Sequence, residues 1–105
     1  MKFIAQGIPA SKGIAEGFVR VVKSTDQIKD VTKNDVILIT FDHALLAVAI
    51  MKSKGVIAMH GGVTAHAAII ARECGIPCIT GVKNINLKTG DKVLIDGENG
   101  KIFKK

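Results

Sequence analysis

Apolar residues fall along this chain in short runs set off by glycines and charges, and two of those runs are unbroken. Residues 35–40 (Asp-Val-Ile-Leu-Ile-Thr) and 55–59 (Gly-Val-Ile-Ala-Met) have strand length, and a continuous run of that length predicts strands covered on both faces. Residues 17–22 (Gly-Phe-Val-Arg-Val-Val) are rich in β-branched side chains and predict a further strand, entered through a glycine-rich turn that begins near Ser11. Residues 76–81 predict another, with Pro77 near its start, where a missing N–H is tolerated. Residues 91–96 and 101–103 pair as a hairpin across Gly97-Glu98-Asn99-Gly100. Two helices interleave with these strands. The first spans residues 43–54, capped by Asp42 or Thr40, with Lys52 and Lys54 in its last turn and Gly55 beyond. It is apolar all round from Ala44 to Met51, more than a surface helix needs, so a helix sandwiched in the core is expected, with a docking face as the alternative. The second is alanine-rich and follows Gly61-Gly62. Residues 23–34 are polar and hold a short helical turn around Gln27. Strands alternating with helices, followed by a terminal hairpin, predict an α/β domain with a mixed sheet.

With 105 residues, 48% of them hydrophobic, the chain has the size of a single compact domain spanning residues 1–105. No apolar run reaches 18 residues, and the start is too soon broken by Gly7 to be a secretory signal, so a cytoplasmic location is expected. The formal charge of +6 invites a nucleic-acid reading. Its lysines are scattered as singles and pairs, however, there is no Trp or Tyr, and the Phe residues at 3, 18, 41 and 103 form no stacking motif. Neither nucleic acid nor membrane is an expected partner; a modest positive field favours encounter with phosphorylated donors. Cys74 and Cys78 are too few for a disulfide scaffold and are read as reduced thiols filling small packing sites. A zinc site from His60, His66, Cys74 and Cys78 matches no usual ligand spacing, and no metal site is expected. Gly13 and Gly17 lack the remaining glycines and the lysine of a P-loop.

The chemistry concentrates where strand, glycine turn and alanine-rich helix follow in order, which places an anion site at the carboxyl end of a strand. The first four N–H groups of a helix have no intrahelical partners, and its N-terminus carries about half a positive charge. Gly61 and Gly62 let the backbone approach an anion, Thr64 is read as the N-cap or as a hydroxyl turned to an oxyanion, and Ala65 adds a backbone donor. His66 stands beside them. A lone histidine at a helix start usually caps or packs, but a neutral imidazole is also nucleophilic at physiological pH and can hold a phosphoryl group as a phosphoramidate.

Gly61, Gly62, Thr64, His66, Ala68, Ile69, Ala71, Arg72, Gly75, Ile76 and Pro77, with Gly81 after them, closely resemble the phosphohistidine segment of the phosphoenolpyruvate-utilising enzymes: pyruvate phosphate dikinase, phosphoenolpyruvate synthase and Enzyme I of the sugar phosphotransferase system. The stretch from Gly7 to Gly17 and the pairs Gly90-Asp91 and Asp96-Gly97 resemble the family's domain entry and exit. The resemblance implies a swivelling β/β/α domain, phosphorylation of His66, and no cofactor on this domain. It further implies Mg2+ with ATP, or phosphoenolpyruvate, on nucleotide-binding and phosphoenolpyruvate-binding partner domains or subunits.

Arg72 belongs to the family pattern. On a helix it lies six residues past His66, about 9 Å along the axis and roughly 240° around it, so its expected role is at the helix C-terminus or against a docked partner. His60 stands where relatives carry an acidic or polar residue and is read as an exposed side chain, with phosphoryl binding as the alternative. The chain shows neither a nucleotide-grasp domain nor a barrel, so alone it is expected to carry phosphate without turning over. Three classes stay open: a separately encoded phosphoryl carrier subunit of a phosphotransferase, an excised or orphan domain without transferase activity, and a binding module on the same fold.

Overall fold

The structure, a computed structural model, describes residues 1–41, 43–59 and 63–105, except the side chains of residues 63–65. Its elements are β1 (Lys2–Gln6), β2 (Ile8–Ser11), β3 (Ile14–Val22), a 3-10 helix (Thr25–Asp30), β4 (Asp35–Ile39), α1 (Leu46–Lys52), β5 (Gly55–Met59), α2 (Val63–Cys74), β6 (Cys78–Val82), β7 (Lys92–Asp96) and β8 (Lys101–Lys104). All eight strands join one mixed sheet in the order β1-β8-β7-β3-β4-β5-β6-β2. Neighbours from β3 to β6 run parallel, and the other pairs are antiparallel. This is the expected α/β domain with a mixed sheet.

The first and last strands of that order are β1 and β2, which Gly7 alone separates in the chain. The sheet therefore has to curl until its two edges meet. At the seam the Gly7 N–H donates to the Gly100 carbonyl at 2.7 Å. A Cβ on Gly7 would lie 2.5 Å from an Ile79 methyl and 2.8 Å from the Thr80 carbonyl oxygen, so only glycine passes between the strands. At the other end of β1, Lys2 stands opposite Lys104 of β8.

Curling gives the sheet an inside and an outside. Ala15, Val19, Val36, Leu38, Ile57, Ile79, Val93, Ile95 and Ile102 fill the inside. On the outside, Ile37, Ile39, Val56, Ala58 and Cys78 pack beneath Leu46, Ala49 and Ile50 of α1 and Ala67 and Ala71 of α2. β4 lies between the two clusters and is buried at every position. That is why residues 35–39 carry an unbroken apolar run, whereas β7, not covered by these helices, alternates. The aspartate that opens β4 is buried as well; Asp35 Oδ2 accepts the Arg20 Nε–H at 3.0 Å and the Thr32 N–H at 2.9 Å.

β5, β6 and the hairpin of β7 and β8 appear where the pattern placed them, and the polar stretch 23–34 carries its helical turn. Three expectations change. β1 and β2 were not predicted, and the turn expected from Ser11 shrinks to Lys12 and Gly13, because residues 14–16 already belong to β3. α1 is shorter than residues 43–54. It opens at Leu46, so Thr40 is no cap, and Asp42 lies outside the described residues. It closes at Lys52, where the Ser53 hydroxyl donates to the Ile50 carbonyl at 2.9 Å, and Gly55 is the first residue of β5. Nor is α1 sandwiched all round: Leu45, just ahead of it, with Val48 and Met51 are 49%, 42% and 57% exposed along one stripe.

α2 ends in a Schellman motif. The Ile76 N–H donates to the Ala71 carbonyl at 2.9 Å and the Gly75 N–H to the Arg72 carbonyl at 3.3 Å, with Gly75 at φ 68°. Of the two thiols just beyond and before it, Cys78 fills a packing site in the core as expected, but Cys74 is exposed; both are free. Burial pushes the Cys78 thiol up to about 12, against a smaller lowering by the Arg72 charge.

Replacing Gly7 with alanine is expected to cost about 2–3 kcal/mol, because its new methyl meets buried side chains and a backbone oxygen. Replacing Gly75, which has nothing within 4 Å, should cost only the left-handed penalty of about 1–2 kcal/mol. Urea unfolding of both variants checks the order. A thiol reagent at pH 8 should modify one thiol per folded chain, Cys74, and both after unfolding. Because the Cys78 thiol is raised in the folded state, its contribution to stability is intact below the unfolded value, near 9, and is lost as pH climbs toward about 12. The urea midpoint should fall over that alkaline window, and a Cys78→Ala variant should lose that part of the fall.

Candidate functional site

β4 and β5 are parallel neighbours, with Ile39 opposite Ala58, so both strands end at the same edge of the sheet. From that edge β4 leads past Phe41 and His43 into α1, and β5 leads through residues 60–62 into α2. Two connecting segments separated in sequence by α1 and β5 are thereby brought to one side of the sheet. His66, the fourth residue of α2, is exposed in its first turn. The helix runs against β5, β6, β2 and α1, burying Ala67, Ala68 and Ala71. Small side chains at those positions let its axis sit close to the sheet.

His66, Ala67 and Ile70 of α2 face His43, Ala44, Leu46 and Ile50 on the α1 side across a cavity of about 180 Å³, floored by Ile39 of β4. The two imidazoles are the only ionisable groups among the described residues that line it. His43 is held by its backbone and its ring: its carbonyl accepts the Leu46 N–H at 3.0 Å, and its Nδ1 accepts the Leu45 N–H at 3.0 Å. A neutral imidazole accepting at Nδ1 carries its proton on Nε2, which is its remaining donor.

Of the residues singled out from the sequence, His66 stands at this cavity. Gly61, Gly62 and His60 lie outside the described residues, as do the side chains of Thr64 and Ala65. α2 begins at Val63, so Thr64 is its second residue and falls within the first turn rather than ahead of the helix as an N-cap. Arg72 does not share the cavity. Its Nε donates to the Ala10 carbonyl at 2.8 Å, so it ties α2 to the edge strand β2 rather than serving the helix C-terminus. Ile69, 49% exposed, stands beside it along a shallow groove with Ile8 and Pro9. The sequence pattern marks His43 only as a helix start, and the helix opens after it, at Leu46. The signal available was topological: two parallel strands, each followed by a helix, put both connecting loops at one edge. Among the described residues no group of three or more His, Cys, Asp or Glu is placed to hold a metal ion.

The family model described as the PEP-utilising enzyme, mobile domain, matches residues 14–100. A probable phosphoenolpyruvate synthase of Pyrococcus horikoshii is 39% identical over 103 residues, covering 96% of this chain and 12% of its own length. The pyruvate, phosphate dikinase of Rickettsia prowazekii is 37% identical over 115 residues, covering 95% of this chain and 13% of that protein. This chain thus spans about an eighth of the length of either relative. Among solved structures, the solution structure of an Enzyme I protein superposes with a TM-score of 0.64 at 27% identity, over 74% of this chain and 33% of that one. An aconitase X structure from Thermococcus kodakaraensis superposes with a TM-score of 0.72 at 18% identity, over 96% and 97% of the two chains, a likeness of fold alone. With a family model covering residues 14–100 and relatives at this identity along nearly its whole length, the chain belongs to the PEP-utilising enzyme mobile domain family.

Proposed function

We propose that this domain is a phosphoryl carrier and that His66 is the residue phosphorylated. The observation that carries this reading is the exposed imidazole in the first turn of α2, at a cavity on the carboxyl edge of parallel strands, in a chain of this family. The unprotonated ring nitrogen of His66 attacks phosphorus with its lone pair and forms an N–P bond. The bond from phosphorus to the donor's leaving atom breaks and its electron pair departs with that atom. The proton on the other ring nitrogen passes to solvent. Backbone N–H groups of Gly61, Gly62, Thr64 and Ala65, in or just before the first turn of α2, are the proposed donors to the phosphoryl oxygens, because the first N–H groups of a helix lack intrahelical partners. Mg2+ with ATP, or phosphoenolpyruvate, belongs in this reading to other domains or subunits, and the protein works in the cytoplasm. Relatives named for phosphoenolpyruvate synthase and pyruvate, phosphate dikinase, several times longer than this chain, support that division of labour.

Partner domains have to engage and release the carrier, which calls for modest affinity. The exposed stripe of Leu45, Val48 and Met51 on the α1 side, together with the Gly61-Gly62 segment, is the proposed docking face.

His66→Ala should abolish incorporation of labelled phosphate from a cognate donor while changing stability by about 0.5 kcal/mol or less, since the side chain is exposed. Label on the wild type should be lost in mild acid, as phosphoramidates are. Equal labelling of the variant, or label mapped by peptide sequencing to Thr64 or His60, refutes the assignment. Titrating the 15N-labelled domain with a nucleotide-binding or phosphoenolpyruvate-binding domain should shift amides of residues 45–51 and 64–70 first. Shifts confined to residues 92–104 would count against the docking face.

A further inference from the structure

We infer that His43 is a phosphoryl-positioning residue, its Nε2–H donating to an oxygen of the group held on His66. The inference rests on the carrier reading above and adds to it a second residue, from a different helix-leading loop. His43 and His66 line the same cavity, one from each side. The Nδ1 of His43 is already committed, accepting the Leu45 N–H at 3.0 Å, so the ring is oriented by its own backbone and presents Nε2 as the remaining donor. Around the two rings the described lining is aliphatic: Ile39, Ala44, Leu46, Ile50, Ala67 and Ile70. A hydrogen bond to an anionic oxygen is charge-assisted, and no described carboxylate or ammonium of the lining competes for it.

During transfer, negative charge is spread over the three equatorial phosphoryl oxygens while the entering and leaving atoms lie in line. A donor beside the line of attack therefore meets charge without blocking either partner. His43 forms no bond to phosphorus and takes no proton from His66. It holds an oxygen, so that the lone pair of the His66 nitrogen meets phosphorus on axis.

The two nitrogens of His43 can be tested separately. Asparagine keeps an acceptor near the position of Nδ1 and so preserves the Leu45 contact, but it removes the Nε2 donor. Glutamine reaches the Nε2 position with an N–H and gives up the contact to Leu45. The full chain is treated with potassium phosphoramidate, a small donor that needs no partner domain. The N–P bond of the reagent breaks, ammonia leaves with the electron pair, and the new N–P bond forms on the protein. Label at His66 is followed by peptide mapping, with His66→Ala as baseline and urea midpoints recorded for every variant. His43→Asn is expected to accept label about tenfold more slowly than wild type at an unchanged midpoint, and His43→Gln to recover to within about threefold. Wild-type rates in His43→Asn, or equal slowing of both variants, overturn the proposal, and slowing of His43→Gln alone reduces His43 to a backbone cap. If wild type takes no label at His66, the carrier reading fails and this one with it; if wild type is labelled and the variants match it, only this one fails.

Discussion

A single residue separates the two edges of an eight-stranded sheet, and the geometry of this domain follows from that tether. With β1 and β2 at opposite ends of the strand order and only Gly7 between them, the sheet cannot stay open. Once it curls, one face becomes an interior filled from strands across the sheet, and the other a surface that needs covering only over part of its girth. α1 and α2 cover that part, above β4 and β5, and the strands beneath them are the ones buried on both faces. The unbroken apolar runs of the sequence are the imprint of this double coverage.

The same parallel segment that needs a helical cover also supplies the site. Parallel strands demand crossovers, and crossovers by helices place each helix start at the carboxyl edge. His43 and His66 lie in those two starts, which explains how residues from separate loops come to share a cavity. Arg72 contributes from a distance: by bonding the Ala10 carbonyl it fixes α2 against β2 near the seam, so the register of the helix that carries His66 depends on the closure of the sheet.

Much of this was legible in the sequence, and the exceptions have physical causes. β4, β5, β6 and the terminal hairpin were readable because double burial and turn chemistry write themselves locally. β1 and β2 were not, because their positions are mostly exposed or half-exposed and their partners, β8 and β6, lie far away in the chain. The first helix was drawn too long because its apolar residues continue through Ala44 and Leu45, whose backbone is turned by the His43 contacts instead. The family was legible through the pattern around His66, from Gly61 to Pro77, which is long enough to identify it. His43 was not, since its neighbour in space lies in another loop and no local spacing reveals it. The apolar character of α1 was visible, but only packing shows that Leu46, Ala49 and Ile50 face inward while Val48 and Met51 face out.

The pairing of Lys2 with Lys104 brings the two ends of this stretch of chain together at one place on the surface. The antiparallel register of β1 and β8 sets Lys2 and Lys104 side by side, so a pull that separates them would open the ladder one pair at a time rather than shear all its hydrogen bonds at once.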